Sequence, residues 1–188
     1  MKKMKFLMLL SAIILCCSTT CKMEESDKAF MSLVEQNPEF YAALNSYLVD
    51  SIGSQYAPGE LCIAYPTVIA STNLRVLGDF WVFNYNVVGD TLKTVSGGSH
   101  PGAMNLKKTD TGYVVTSFEQ VEDGSNFLPS AKRIFGTMYE AFHSINSDDE
   151  TREQVRALFI AKYVKDNKLP VKYYQDYGWP ARKIPSLK

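Results

Sequence analysis

One short segment of the chain combines residue types that could carry out nucleophilic catalysis. Ser96 and Ser99 lie close to His100, and Gly97 and Gly98 stand between the two serines. A serine nucleophile needs a base within hydrogen-bond reach and N–H donors for the oxyanion, which the glycine backbone could supply. The segment lacks the G-x-S-x-G elbow, because a proline follows the histidine and no helix begins there. The pattern favours a turn, and a hydrolase centred on His100 with Ser96 or Ser99 is the alternative.

The other side chains that often serve in catalysis or metal binding are far apart or have a simpler explanation. His100 and His143 are 43 residues apart without a cysteine pair, so the three or four ligands of a zinc site are missing. The acidic residues at 148–150 are typical of a helix first turn, where carboxylates meet the positive end of the dipole. Glu119 and Glu122 lie at the end of a predicted strand. We therefore predict no metal and no cofactor, and a protein that is not an enzyme.

An aromatic strand face is the more informative feature. The side chains of residues 80–88 are expected to point alternately to the two faces of a strand. Trp81, Phe83 and Tyr85 share one of these faces. A sheet needs one buried face, which favours a core position for these rings, and the alternative is the lining of a ligand cavity. The candidate ligand-facing residues are therefore these three aromatic residues together with Ser99 and His100.

The first 21 residues are typical of an export signal. A basic start with three lysines precedes an apolar run at 6–15, and small residues follow at 18–20. The run of about ten residues is too short to cross a bilayer of roughly 30 Å as a helix. We expect a cleaved signal over 1–21, a polar tether over 22–28 and a single domain over 29–188.

The cysteines at the end of the leader predict a lipid anchor. Cys21 follows small residues, and acidic residues come soon after it, which resembles the signal that sends lipoproteins of Bacteroidota to the cell surface. The resemblance implies lipidation at Cys21 and a place at the outer membrane or cell surface. The alternatives are lipidation at Cys17, or cleavage after Thr20 and a periplasmic or secreted protein. Cys62 lies in an apolar stretch and is expected to be buried filler.

Helical periodicity occurs at both ends of the predicted domain. Asn37 is a plausible N-cap, since a proline stands at the first helical position after it. Gly136 is expected to weaken a later helix. Ser147 and Glu150 have the spacing of a capping box at the start of the last predicted helix. The predicted helices span residues 29–34, 38–53, 129–145 and 148–167.

The middle of the chain has the two-residue period of strands. Gly89-Asp90 predicts a tight turn, and the glycine-rich segment 97–102 predicts a looser one. Pro66 favours either an edge position for the first strand or a place at the end of that strand. Strands joined by short turns must be antiparallel neighbours. The predicted strands span residues 60–67, 80–88, 91–96, 103–108 and 113–121, with a further short edge strand within 68–76.

These elements predict an α+β fold. An antiparallel meander of four or five strands carries helices from both ends of the chain on one face, similar to the cystatin-like or NTF2-like shape. The aromatic tail from Pro170 onwards is expected to pack on the domain. Without its leader the chain has 17 basic and 20 acidic residues, a net charge of −3. This net charge gives no electrostatic reason to bind nucleic acid or anionic lipid headgroups.

Short motifs in the second half of the chain resemble a known domain. The segments 96–101, 112–113, 123–125 and 131–135 are similar to a domain of unknown function in exported proteins, also found beside BlaR1-type membrane peptidases. The resemblance covers about residues 79–136, and its motifs are turns and packing positions. The chain has no HExxH motif, so the resemblance does not imply peptidase activity.

Together these patterns predict an exported, non-catalytic lipoprotein. It would bind a small ligand or an envelope protein as an accessory module of the cell envelope. The membrane would be reached through the N-terminal lipid, and no nucleic acid is expected as a partner. The hydrolase centred on His100 and a structural subunit of a surface assembly remain the alternatives.

Overall fold

The computed structural model describes residues 31–32, 34–72 and 74–187. It has an α+β fold, in which helices flank an open, mostly antiparallel sheet of six strands, so the predicted fold class is confirmed. The predicted export signal, its cysteines and the tether over 22–28 lie outside the described residues.

The N-terminal helices pack through one apolar stripe. Residues 31–32 and 34–36 are helical, and helix α1 spans Pro38–Tyr47. Pro38 occupies the first turn as predicted, but the side chain of Asn37 makes no capping hydrogen bond. The chain continues as a π-helical turn at Leu48–Ile52 and a 3-10 turn at Gly53–Gln55. The buried members of this stripe are Phe40, Tyr41, Ala43, Leu44, Leu48 and Ile52.

Four long strands form the predicted antiparallel meander. They are β1 (Leu61–Thr72), β2 (Arg75–Val88), β3 (Thr91–Thr109) and β4 (Gly112–Gln120). Among the described residues β1 pairs only with β2, which gives Pro66 the predicted edge strand. The short edge strand predicted within 68–76 is wrong. That segment holds a hairpin, in which Thr72 pairs with Arg75 and Leu74 takes a positive φ of 66° in the turn.

The turn predicted at 97–102 is also wrong, because β3 runs through it without a break. Its glycines allow β2 and β3 to approach closely, and the chain does not change direction there. Gly97 lies opposite Phe83 with a φ of 142°, and a Cβ there would lie 2.6 Å from the Phe83 Cα. Gly102 lies opposite Gly78, so two strands approach where neither has a side chain.

The outer edge of β3 is shared by two different strands. Its C-terminal half pairs with β4, while its N-terminal end pairs in parallel with β5 (Tyr173–Gln175). Strand β6 (Arg182–Lys183) then pairs antiparallel with β5. The sheet order is therefore β1-β2-β3-β5-β6, with β4 beside β5 on the same edge of β3.

The C-terminal helices are α2 (Phe127–Phe135), α3 (Tyr139–Asn146) and α4 (Asp149–Asp166). Gly136 separates α2 from α3 as predicted, with a φ of 53°. The predicted capping box at Ser147 is wrong. Asp148 caps α4 by accepting a hydrogen bond from the Thr151 N–H at 3.1 Å, whereas the Ser147 hydroxyl donates to the His143 carbonyl at 2.7 Å.

Helices cover both faces of the sheet, whereas the sequence predicted one covered face. The ring of Phe118 contacts Tyr47 of α1 on one side and Phe80 on the other, which places α1 over the Phe80 face. Arg152 and Arg156 of α4 lie over the opposite face. A second, smaller core joins α2 and α3 to the far half of β3. Its buried residues include Ala103, Ile134, Phe135 and Phe142.

Candidate functional site

The serine and histidine residues of the predicted hydrolase are not brought together. His100 is buried on β3, with Nε2 3.0 Å from the Tyr56 hydroxyl and Nδ1 3.2 Å from the Gln120 Oε1. Ser99 points to the other face of the strand and donates to the Asp79 Oδ1 at 2.6 Å. Burial lowers the pKa of His100 below its ordinary value, so the imidazole is neutral near pH 7.

Ser96 shares a strand face with His100 but lies too far along the strand. Four residues of extended backbone separate their Cα atoms by about 13 Å. The Ser96 hydroxyl donates to the Ala57 carbonyl at 2.5 Å and lies 3.4 Å from the Asn84 Nδ2. The geometry therefore gives no nucleophile and base pair, and His100 and its neighbours hold the segment 56–57 against the sheet.

The predicted aromatic face packs against two arginine residues of α4. The Arg152 guanidinium lies 4.3 Å from the centre of the Trp81 ring, and that of Arg156 lies 4.4 Å from the Phe83 ring. Beside Trp81, the carboxylate of Asp79 is 1% exposed. It accepts from the Trp81 Nε1 at 2.9 Å and lies 3.5 Å from the Arg152 Nε. The charges of the buried carboxylate and of Arg152 are thus matched beneath α4.

Arg156 is the centre of the largest buried polar network in the described residues, and its side chain is 2% exposed. Its two terminal nitrogens each lie 2.8 Å from a different Asp176 oxygen, and Nη2 also donates to the Tyr85 hydroxyl at 2.8 Å. That hydroxyl lies 2.6 Å from the Tyr65 hydroxyl, and Thr94 adds a hydrogen bond to Asp176 at 2.5 Å. This Arg156 network therefore joins β1, β2, β3, α4 and the segment that follows β5.

The electrostatics of the network favour its charged form. Burial opposes the charge of Arg156, but Asp176 and the two tyrosines outweigh it and raise the guanidinium pKa above its ordinary value. Burial likewise raises the pKa of Asp176, but hydrogen bonds from Arg156 and Thr94 hold it below the ordinary value overall. Both groups are charged at neutral pH, as expected for a bidentate pair of a guanidinium and a carboxylate.

The space between this aromatic face and α4 is filled. The cavity lined by Tyr65, Asp79, Trp81 and the two arginines has a volume of only about 10 Å³. A cavity of that size holds at most one water molecule. Trp81, Phe83 and Tyr85 thus lie where the sequence predicted, but the structure leaves no room there for a larger ligand.

The most spacious concavity among the described pockets lies at the other side of α4. It is a groove of about 440 Å³ between α1, β1 and α4, which we call the α1–α4 groove. Its volume falls in the range of small-molecule sites, 300 to 1,000 Å³. Its apolar walls are formed by Val34, Pro38, Tyr41, Ala42, Ile63, Ala64, Pro66, Phe159 and Tyr163.

One polar group in this groove is unsatisfied. Tyr41 is 5% exposed, and its hydroxyl is shielded from water without a hydrogen-bond partner among the described residues. Burial raises the pKa of Tyr41 well above its ordinary value, so the hydroxyl keeps its proton. A buried hydroxyl without a partner carries a cost of about 1–3 kcal/mol. A ligand oxygen that accepted a hydrogen bond from this hydroxyl would remove that cost.

The one basic residue that lines the groove among the described residues is paired with an acid, and the acid Glu35 lies exposed in the lining. Lys162 and Asp166 line its rim, and the Lys162 Nζ lies 2.7 Å from an Asp166 oxygen. Asn167 at the end of α4 donates to the Tyr163 carbonyl at 2.9 Å. The groove therefore offers an apolar surface and one buried donor, and its cation is neutralised by a neighbour.

The remaining reactive groups have structural surroundings. Cys62 is a free, half-buried thiol, and burial raises its pKa above the ordinary value, which disfavours the nucleophilic thiolate. Within residues 31–187, apart from the undescribed positions, no group of three or more histidine, cysteine or acidic side chains is placed to hold a metal ion.

Sequence reasoning missed both features that carry the polar chemistry of the fold. Arg152 and Arg156 are four residues apart and fall on the apolar stripe of α4, so their spacing was the available sign that both face the sheet. Tyr41 lies on the buried apolar stripe of α1. Nothing in the sequence indicates that its hydroxyl lacks a partner, because the groove arises from the packing of three distant segments.

Comparisons with known proteins add no relative. Among the described helices none combines the length and apolar character that a bilayer crossing needs. The predicted likeness to an exported domain and to the cystatin-like or NTF2-like shape stays a prediction. No protein-family model, curated protein or solved structure matches this chain.

Proposed function

We propose that this chain is an exported lipoprotein whose domain binds a small, mainly apolar ligand in the α1–α4 groove. The observation that carries the proposal is a groove of about 440 Å³ with the unsatisfied Tyr41 hydroxyl in its wall. Pockets that combine apolar walls with a few polar groups are the usual form of small-molecule sites. The chain would act as a binding module of the cell envelope.

Binding is favoured over catalysis by the state of the reactive groups. His100 is engaged with Tyr56 and Gln120, and Ser99 is engaged with Asp79. Among the residues that the structure describes, those lining the α1–α4 groove include no histidine, serine or cysteine. The groove therefore lacks the serine or cysteine nucleophile and the histidine base that a hydrolase would use.

The ligand chemistry follows from the donor. Tyr41 keeps its proton and therefore donates, so the matching ligand carries an acceptor oxygen, as in a ketone, an ester or an alcohol. The hydroxyl is shielded in this structure, and a small rotation of neighbouring side chains, which is common on binding, would admit the oxygen. A carboxylate is disfavoured because the groove has no unpaired cation.

A matched pair of probes tests this binding. We expect 2-decanone to bind the wild-type chain more tightly than decane, which has the same carbon chain but no acceptor. Tyr41→Phe should weaken 2-decanone binding by about fivefold, the effect of one hydrogen bond of about 1 kcal/mol, and leave decane unchanged. Shifts of groove resonances in NMR titrations would measure both affinities. Absence of binding by both probes would contradict the proposed function.

The same substitution has an opposite effect on stability. Without ligand, Tyr41→Phe removes an unsatisfied buried hydroxyl, so we expect the free energy of unfolding to rise by about 1 kcal/mol in urea titrations. Tyr47→Phe is the control, because Tyr47 lies on the same helix but contacts Phe118 outside the groove. A loss of stability in Tyr41→Phe would show that the hydroxyl does have a partner.

The anchor is tested at the mature N-terminus. We expect the first residue of membrane-extracted protein to be Cys21 with a mass increased by its lipid, and Cys21→Ser to release the protein from the membrane fraction. Cys17→Ser is the matched control and should leave the anchor intact. Mass spectrometry of the N-terminal peptide measures both. Recovery of an unprocessed Met1 from the cytosol would contradict export.

A further inference from the structure

The charge of this protein is distributed very unevenly along the chain. Residues 162–188 contain seven basic and two acidic residues, a net charge of +5. Residues 22–161 contain ten basic and eighteen acidic residues, a net charge of −8. The net charge of −3 therefore conceals a basic C-terminal part. From that net charge alone no affinity for anionic headgroups is expected. Attraction to a charged surface depends on the local patch and not on the net charge.

Strand register brings one lysine of this C-terminal part, Lys183, onto the same open face as Lys93 of β3. Lys183 lies opposite Tyr173, and Lys93 lies beside Gln175 in the parallel pair. Residues in register share a face, and so do residues two positions apart on one strand. The face that carries both lysines also carries Val88, which lies opposite Thr91 and is 50% exposed. The alternate face, with Leu92 and Tyr174, is buried beneath α4.

A hydrogen-bonded turn carries two exposed aromatic rings next to this face. The N–H of Trp179 donates to the Asp176 carbonyl at 3.1 Å, and Gly178 takes the positive φ of 78° that the turn requires. The Gln175 side chain donates to the Trp179 carbonyl at 2.8 Å. Tyr177 is 98% exposed and Trp179 is 67% exposed. The tail was expected to pack on the domain, which is right for Tyr174 but wrong for these two residues.

The turn is held from below by the Arg156 network. Asp176 begins the turn and is bound at both oxygens by the buried guanidinium. The backbone of the turn is therefore tied to the core of the domain, and the rings of Tyr177 and Trp179 extend from it into solvent. A turn whose backbone is already held in place loses less conformational entropy when it contacts a partner, which favours a contact role for its residues.

The charges around the face leave its lysines free. Lys93 and Lys183 form no ion pair with any residue that the structure describes. Two of the neighbouring acids are paired, since Asp90 lies 3.6 Å from the Lys172 Nζ and Asp176 is bound to Arg156. Glu60, whose N–H donates to the Asn86 side chain, forms no ion pair with a described residue. We name the surface formed by Val88, Lys93, Tyr173, Lys183 and the Tyr177–Trp179 turn the basic aromatic face.

We propose that the basic aromatic face rests on the anionic headgroups of a lipid bilayer, with Tyr177 and Trp179 inserted at the interface. Tyrosine and tryptophan have the amphipathic rings that collect at headgroup depth, and lysines nearby are attracted to anionic lipids. The contact is a second one beside the N-terminal lipid and does not depend on the groove. It would fix the orientation of the domain on its membrane.

Fluorescence quenching in vesicles tests the contact in the full chain. The chain has two tryptophans, and Trp81 is packed under Arg152, so Trp179 is the one that lipid can reach. We expect lipid brominated near the headgroup to quench Trp179 in vesicles of equal phosphatidylglycerol and phosphatidylcholine, and much less in phosphatidylcholine alone. Trp179→Phe should abolish this quenching. Equal quenching in both vesicles, or none in either, would overturn the proposal.

Charge reversal with a matched control identifies the lysines. Lys93→Glu with Lys183→Glu should reduce the quenching to the level seen in phosphatidylcholine. Lys107→Glu with Lys108→Glu makes the same charge change at the exposed far end of β3 and should retain it. Raising the salt to about 0.5 M should weaken quenching in the unmodified chain, because salt screens exposed charges. This arm remains decisive if the variants fail to fold, and quenching insensitive to salt would overturn the electrostatic part.

A soluble polyanion separates a bilayer from another acidic partner. Dextran sulfate should leave the emission of Trp179 nearly unchanged, since it offers charge but no interface for the rings. If dextran sulfate shifts this emission while anionic vesicles do not quench it, the face takes a soluble polyanion and the membrane proposal fails.

Discussion

Arg156→Met is expected to lower the free energy of unfolding by about 3 kcal/mol, the largest loss we expect from a single side chain of this domain. Removing one partner of a buried ion pair leaves the other charge uncompensated, at a typical cost of 3–5 kcal/mol. The lower end applies because the Asp176 side chain is 36% exposed and can be hydrated in part. Urea titration followed by circular dichroism would measure the loss.

Two further variants separate the fork geometry from the charge. Arg156→Lys keeps the charge but cannot bind both Asp176 oxygens and Tyr85 together, so we expect an intermediate loss. Arg133→Met is the surface control. Its side chain is 57% exposed beside Glu119, and such a pair contributes less than about 1 kcal/mol. Equal losses at positions 156 and 133 would show that the Arg156 network does not stabilise the fold.

The network also predicts a pH dependence of stability. The pKa of Asp176 is lower in the folded state than its ordinary value of about 3.9. Its contribution is therefore complete above the ordinary value and is lost as the pH falls through the lower folded value. Arg156→Met should lack this part of the acid dependence. An unchanged slope between pH 5 and the acid transition would argue against the pair.

Gly97→Ala is expected to destabilise the domain by about 3 kcal/mol. A φ of 142° is a region that residues with a side chain seldom adopt, which alone costs about 1–3 kcal/mol. The added Cβ would also collide with the Val82 carbonyl and lie 2.6 Å from the Phe83 Cα, so the β2–β3 pair would have to shift. Thermal and urea unfolding would both report the change.

Gly89→Ala provides the matched control for that clash. Gly89 has a φ of 64° in the β2–β3 turn, and a Cβ there would meet no atom within 4 Å. Only the cost of a left-handed backbone remains, about 1 kcal/mol. If both variants lost the same amount of stability, backbone conformation alone would account for Gly97 and the close strand approach would be irrelevant.

The parts of the fold that depend on local pattern were predicted well. Pro38 begins α1, the alternation around Trp81 gives β2, and Gly136 breaks the α2–α3 segment, because each is decided by a residue's own backbone preference or by its immediate neighbours. The α+β class follows from the order of these elements.

The errors occurred where distant segments decide the outcome. Gly97 and its neighbours have the composition of a turn, but their lack of side chains serves the approach of β2. Asp148 and Ser147 are both good caps, and sequence does not rank neighbouring candidates. The parallel pairing of β5 with β3 joins segments 82 residues apart, and no local pattern announces it.

The candidate sites also depend on segments that are distant in the sequence. Trp81, Phe83 and Tyr85 were correctly placed on one strand face, yet whether such a face encloses a cavity depends on what the covering helix contributes. Here Arg152 and Arg156 fill the space. The α1–α4 groove lies between elements that were each predicted, but its existence depends on the angles at which they meet.

The sharing of the β3 edge by β4 and β5 bears on the order in which the domain assembles. The meander forms through neighbouring hairpins, whereas the β3–β5 pair must close a long loop and is expected to form late. Until it forms, Asp176 is absent from Arg156, and docking of α4 would bury the guanidinium with only Glu153 of the same helix as its ionic partner. Helix docking and strand closure are thus coupled into one cooperative step, and amide hydrogens of α4 and β5 should exchange together.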